Sequence, residues 1–199
     1  MKRILVSIPG AWEIIEKLKG KIGERDSEIV RNIVLTYLSE KGYLKEKGWK
    51  MTKVNLEELI RELGGEIINV GKPVKIVEQA VKATGSRPEQ IIKSLLFISE
   101  KEGPILVIVD GKSKVDLNKL ERMFGKVRLA TPEEVKQITG FEVGAVPPVG
   151  VGVMTVVDPK VLENKFVIGG GGRIDRLSKL NPERIVEYQK AIIVDVKVK

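Results

Sequence analysis

The stretch QIIKSLLFISE (residues 90–100) carries a lysine, Lys93, inside an otherwise apolar run. Ile91 and Ile92 precede it, and Leu95, Leu96, Phe97 and Ile98 follow. Across the turn EKEG, the run PILVIVD (104–110) repeats the pattern. Short continuous apolar runs bounded by turn residues predict two buried strands. An ammonium at the lip of such a strand has two readings. It ends a short helix and reaches back to water along its methylene stem, or it faces a pocket that needs a charge.

Working outward, the flanking segments predict short helices and further short strands. Leu56, Leu59, Ile60 and Leu63 form a helical stripe stopped by Gly64-Gly65, and EIINV follows as a strand. Ile76, Val77, Ala80 and Val81 mark another helix, ending near Gly85, and Ser86 to Glu89 reads as a capping box for a short helix leading to Lys93. Residues 116–124 are expected to be helical with Leu117, Leu120 and Phe124 inward, and Thr131-Pro-Glu-Glu134 starts a helix that ends at Gly140. VMTVVD, KFVIG and RIDRLS read as strands, Asn181-Pro182 opens a last helix, and AIIVDVKVK reads as an edge strand. Short strands mixed with short helices predict an α+β domain over residues 54–199, built on a mixed or antiparallel, barrel-like sheet.

The N-terminal segment has a different pattern. KRILVSI (2–8) alternates as a strand, closed by Pro9-Gly10, and two helical stripes follow within residues 12–38. This strand-helix-helix pattern resembles the ribbon-helix-helix family over about residues 2–42, where strands of two chains pair into a ribbon. The resemblance implies a homodimer, with Arg3, Leu5 and Ser7 outward on the ribbon and Ser27, at the start of the second helix, facing a phosphate. Leu5 is apolar where a base-reading position is usually polar, which favours dimerisation over DNA readout. Residues 43–53 read as a basic linker in which Lys45, Lys47 and Lys50 are candidate nucleic-acid contacts.

Composition narrows the chemistry. The chain has no histidine and no cysteine, which removes His-based triads, cysteine nucleophiles and the usual zinc sites. Catalysis would need no metal and no cofactor, running on lysine, carboxylates, hydroxyls, backbone N–H groups or the substrate. The net charge of +8 is uneven, with 12 Lys/Arg against 7 Asp/Glu in residues 1–53. A basic arm suits a polyanion such as nucleic acid; a lysine-rich solvated surface is the other reading. No run of apolar residues is long enough to predict a membrane span, and MKRILVSIPGAWEII lacks the apolar core of a secretory signal. A cytoplasmic location is therefore expected.

Three glycine-bearing segments bear on phosphate or oxyanion binding. Gly111-Lys112-Ser113 is no Walker A, because Leu106 stands where the first glycine belongs. GGGG (169–172) reads first as a tight bend after a strand and second as a close approach of backbone to ligand. In GFEVGAVPPVGVG (140–152), Gly144 and Ala145 precede a rigid Pro147-Pro148, so their N–H groups could face a cavity as an oxyanion hole. A stiff surface loop is the alternative.

IIKSLLF, VDLNKLERMFG, RLATPEEVKQITGFEVGAVPPVG, VVDPKVL and FVIGGGG follow one another in an order that resembles the YbaK/ProX family of aminoacyl-tRNA deacylases, the trans-editing domain also inserted in bacterial prolyl-tRNA synthetases. The likeness covers about residues 54–188. It implies hydrolysis of mischarged aminoacyl-tRNA, with Lys93 essential and Gly144 contacting the scissile carbonyl by its backbone. It also implies a pocket lined by Pro148, Asp158, Gly169, Gly170 and Gly171, beside which the Ala145 N–H of the same loop is a further candidate contact to substrate. Pro147 stands where the family often has serine, which removes one hydroxyl from that loop. The other functional reading is a DNA-binding regulator whose C-terminal domain senses an aminoacyl ligand.

Overall fold

In a computed structural model the chain divides into two units, Met1–Lys53 and Val54–Lys199. The structure describes residues 55–74 and 76–198, all within the second. The ribbon-helix-helix, dimer and DNA readings, with Arg3, Ser7, Ser27, Lys45, Lys47 and Lys50, therefore lie outside the described residues.

Helix α1 (Leu56–Glu62) buries Leu59 and Ile60 and gives way at Gly64, whose φ is 74°. Strand β1 (Glu66–Asn69) leads to α2 (Val77–Thr84), closed by Gly85 in the left-handed region. A 3-10 turn (Pro88–Gln90) then feeds β2 (Ile92–Ser99). The capping interaction there sits one residue later than Ser86–Glu89: the Arg87 N–H donates to Gln90 Oε1 at 3.0 Å. β2 turns tightly into β3 (Gly103–Asp110), pairing from Ile92↔Asp110 to Ser99↔Gly103.

Helix α3 (Leu117–Phe124) starts at Asp116, whose side chain accepts from the Asn118 N–H. It buries Leu120 and Phe124, while Leu117 is exposed, contrary to the inward placement expected. β4 (Val127–Leu129) follows and was not foreseen, since three residues are too few for a periodic signal. Helix α4 (Pro132–Thr139) carries the capping box of Thr131 and Glu134 and stops at Gly140. The remainder comprises β5 (Met154–Val157), a 3-10 turn (Pro159–Glu163), β6 (Val167–Gly170), β7 (Arg176–Leu180), α5 (Pro182–Gln189) and β8 (Ile192–Ile193).

The strands form two open sheets, which corrects the barrel-like expectation. One is mixed and five-stranded, in the order β4-β2-β3-β5-β8; the other is antiparallel, β1-β7-β6. A single parallel bridge, Ile91↔Ile168, joins β6 to the start of β2. Closure fails because β4 pairs with only Phe97–Ser99 of β2 and β8 is two residues long. One face of the larger sheet, with Leu96, Leu106 and Ile108, packs against α4, α5 and the 146–151 loop. The other, with Phe97, Val107 and Val109, is covered by α3. Burial of these aliphatic side chains, each worth about 1.5–3 kcal/mol, is the main force holding the layers.

Candidate active site

The short pairing of β4 is what makes room for a site. The last link on that flank is the Ala130 N–H donating to the Leu96 carbonyl at 2.9 Å. Beyond it, from Leu95 back to Ile92, no strand among the described residues pairs with β2 on that side, and β6 reaches the start of β2 through the Ile91↔Ile168 bridge. A cavity of about 430 Å³ lies there, lined by Ile92, Lys93, Ser94, Leu95 and Leu96 along the strand. Gly144 and Val146 line it from the loop, Gly169 and Gly170 from β6, and Val77 and Glu78 from α2. Its walls are mostly aliphatic, as in small-molecule sites generally.

Lys93 is half-buried and is the only cationic side chain among the described residues lining this cavity. Its Nζ donates to the Ser113 carbonyl oxygen at 2.6 Å. Burial pushes its pKa below the usual lysine value, Asp110 pulls it back up, and Lys114 adds to the lowering. Lys93 stands in a strand, not at a helix end, and is one of the residues lining the cavity.

Gly144 adopts φ 85°, a conformation that L side chains avoid, at the turn into the 145–149 segment. Ala145 is buried, and its N–H is spent on the Glu142 carbonyl at 2.9 Å, so it is not a free oxyanion donor. No hydrogen bond among the described residues takes the Gly144 N–H. The Ala145 carbonyl accepts from the Gly172 N–H at 2.9 Å, which ties the loop to the glycine run.

That run spans the end of β6 and enters the bend toward β7, where Gly172 takes φ 82°. Gly169 and Gly170 are the last residues of β6. A Cβ on Gly169 would stand 3.1 Å from Ile92 Cγ1 and 3.4 Å from Pro148 Cδ, so the strand lies flat against the loop. Gly171 lacks space as well, with Leu177 and Arg176 backbone at 2.8 Å from such a Cβ. Lys93, Gly144, Gly169 and Gly170 thus line one cavity from three elements, while Ala145, Pro148 and Gly171 are not part of its lining.

Asp158 is placed elsewhere. It is fully buried, its Oδ1 accepting from the Lys160 N–H at 3.0 Å and from Lys197 Nζ at 3.3 Å, and its Oδ2 from the Val196 N–H at 3.1 Å. These bonds pin the C-terminal segment to the end of β5, and the cavity lining does not include it.

Ser94 escaped the sequence reading. Its Oγ is buried without a hydrogen-bond partner, and the residue lines the cavity beside Lys93. A buried hydroxyl left unpaired costs about 1–3 kcal/mol, so a ligand atom is a natural partner for it. The available signal was a hydroxyl in an apolar strand on the same parity as Ile92 and Leu96.

An α+β fold with a mixed sheet, and a cavity holding one lysine beside a glycine loop, define the class. The model of the aminoacyl-tRNA editing domain family matches residues 71–188, and the chain belongs to that family. A solved structure described as a putative trans-editing enzyme for prolyl tRNA synthetase is 32% identical, with a TM-score of 0.67 over 74% of this chain and 96% of its own. The proline–tRNA ligase of Desulforamulus reducens is 30% identical over 158 residues, 77% of this chain and 27% of the ligase. That of Thermodesulfovibrio yellowstonii is 33% identical over 99 residues, 50% of this chain and 17% of the ligase. The chain thus spans less than a third of these ligases. No helix among the described residues is long and apolar enough to cross a membrane.

Proposed function

We propose that the chain hydrolyses the ester of a mischarged aminoacyl-tRNA. The observation that carries this reading is the shared cavity: Lys93 of β2 and Gly144 of a distant loop line the same space of about 430 Å³. The family membership and the editing role named for the solved relative point the same way. An aminoacyl ester is already activated, so its hydrolysis does not require histidine. Water adds to the carbonyl carbon, and the negative charge that develops on the carbonyl oxygen is met by the Gly144 N–H and the Lys93 ammonium. The carbon–oxygen bond to the terminal ribose then breaks, and the departing ribose oxygen takes up the proton that water gave up. The substrate's vicinal hydroxyl, or a second water, passes that proton. Free amino acid and uncharged tRNA leave.

Full-length chain assayed on a panel of tRNAs charged with small non-cognate amino acids is expected to release the amino acid. Lys93→Ala is expected to lose that activity while keeping its circular dichroism and melting transition. Undiminished turnover by folded Lys93→Ala would remove the role assigned to the lysine.

A further inference from the structure

The segment Asp110-Gly111-Lys112-Ser113, excluded above as a phosphate loop, lies directly behind Lys93. Asp110 ends β3 and is completely buried. Its Oδ1 accepts from the Lys112 N–H at 3.0 Å, and its Oδ2 accepts from the Ser113 hydroxyl. The Asp110 carbonyl also accepts from the Ser113 N–H at 3.1 Å. Ser113 is thus bound to Asp110 by main chain and side chain together, and its own carbonyl oxygen receives Lys93 Nζ at 2.6 Å. Gly111 lets the turn sit this close. Its N–H donates to the Ile91 carbonyl at 2.6 Å, and a Cβ there would stand 2.9 Å from Val77 Cγ1.

We infer that this turn is a clamp for the Lys93 ammonium, with Asp110 a positioning residue that acts through Ser113 and supplies the buried countercharge. A lysine has four rotatable bonds, and a flexible ammonium would spend much of its time away from the reacting carbonyl. One short bond to a carbonyl that is itself held from two sides removes most of that freedom. The countercharge addresses a second difficulty, because burial alone favours the neutral amine, which has no positive charge to set against an oxyanion.

Other charges around the pair do not replace Asp110. Lys114 lies close enough to oppose the protonated state, and Lys112 is taken by Glu89. Lys160, from the turn after β5, approaches Asp110 Oδ2 at 3.9 Å, a partial pairing. Glu78 of α2 lines the cavity and is exposed to solvent, which screens it. The Asp158–Lys197 pair serves the C-terminal segment.

The clamp rests on the deacylase reading only for its catalytic consequence, so its test includes a readout free of activity. Lysine side chains are labelled with 13C at Cε in the full-length chain, and the Lys93 signal is assigned by its loss in Lys93→Arg. In Asp110→Asn the Lys93 signal is expected to titrate at lower pH than in the wild type. The high-pH limb of kcat/KM is expected to move in the same direction. In Ser113→Ala, which keeps both charges and the acceptor carbonyl but removes its side-chain anchor to Asp110, the Lys93 signal is expected to sharpen as the turn loosens around the ammonium. There kcat should fall about tenfold with little change in KM, as for a group that acts in the transition state. A wild-type titration in folded Asp110→Asn overturns the clamp. If that variant does not fold, an unchanged Lys93 signal in Ser113→Ala overturns it. If the signals move as stated but no Lys93 variant alters deacylation, the clamp stands and the catalytic role of the lysine fails.

Discussion

A Cβ on Gly170 would stand 2.7 Å from the carbonyl carbon of Ala145 and would also strike the Val146 carbonyl oxygen. The last residue of β6 and the loop after Gly144 therefore touch backbone to backbone, with no flexible side chain between them to yield. Gly170→Ala must push the loop away or break the strand. A loss of about 1–3 kcal/mol is the usual cost of such overpacking, read as a lower melting temperature together with reduced deacylation. Gly152→Ala is the control, because nothing lies within 4 Å of a Cβ there and its φ is not in the left-handed region. Its melting point should stay within a degree or two of the wild type, and equal behaviour of the two variants would sink the argument.

Glu134 anchors the helix that lends Val135 to the cavity. The Arg128 guanidinium and the Thr131 N–H hold its carboxyl down at about 2, from the usual 4.5. A carboxyl whose pKa is depressed on folding contributes stability that is fully present above its unfolded pKa. That stability is lost as pH falls through the folded value. The window is therefore about pH 4.5 down to 2. Arg128 is exposed and Glu134 is only partly buried, so solvent screens the pair and the effect is small. In that window the wild type is expected to lose more melting temperature than Glu134→Gln does. Parallel acid profiles would show that the pair does not couple to folding.

Much of this fold was legible because its signals are local. Gly64, Gly85 and Gly140 stop helices where the pattern placed them, each with positive φ, and Thr131 with Glu134 caps as the spacing S/T-x-x-E requires. Two facts were not legible. That β4 pairs with only three residues of β2, so that a cavity opens beside Lys93, depends on tertiary contacts rather than on residue type. The destination of Asp158 was also hidden: a buried aspartate after a strand can line a pocket or cap a turn, and only the arrival of Val196 and Lys197 decides which. Lys93 and Gly144 were singled out from pattern and resemblance; the three-dimensional arrangement adds Ser94 and the turn behind the lysine.

Burial lowers the pKa of Lys93, so the charged form is less favourable in the folded chain than in the unfolded one. Between the folded and unfolded pKa values the unfolded chain binds the extra proton, and stability rises with pH through that window. Below the folded pKa the whole penalty is present. Lys93→Met, close in length and apolar, is therefore expected to melt higher than the wild type at neutral pH while having no deacylase activity. The difference should shrink as pH rises toward the unfolded lysine value of about 10.4. A lower melting temperature at neutral pH would mean that the bond to Ser113 and the attraction of Asp110 outweigh the cost of burial.

Ser94 separates folding from binding most directly. Its hydroxyl is buried with no hydrogen-bond partner in the protein, so Ser94→Ala removes a polar atom that no protein group satisfies. The variant should be as stable as the wild type or slightly more so, because an unpartnered buried hydroxyl is a net cost. If that hydroxyl pairs with the bound ester, its α-amino group or the terminal ribose, the variant loses one hydrogen bond on binding. Loss of one such bond, about 0.5–1.5 kcal/mol, raises KM roughly two- to tenfold. Ser94→Thr keeps the hydroxyl and adds a methyl to a cavity wall, so its KM should stay closer to the wild type for small acyl groups and rise for bulkier ones. Melting curves and steady-state kinetics of the two variants decide the matter together. An alanine variant that loses stability and keeps its KM would show that Ser94 serves the fold and not the substrate.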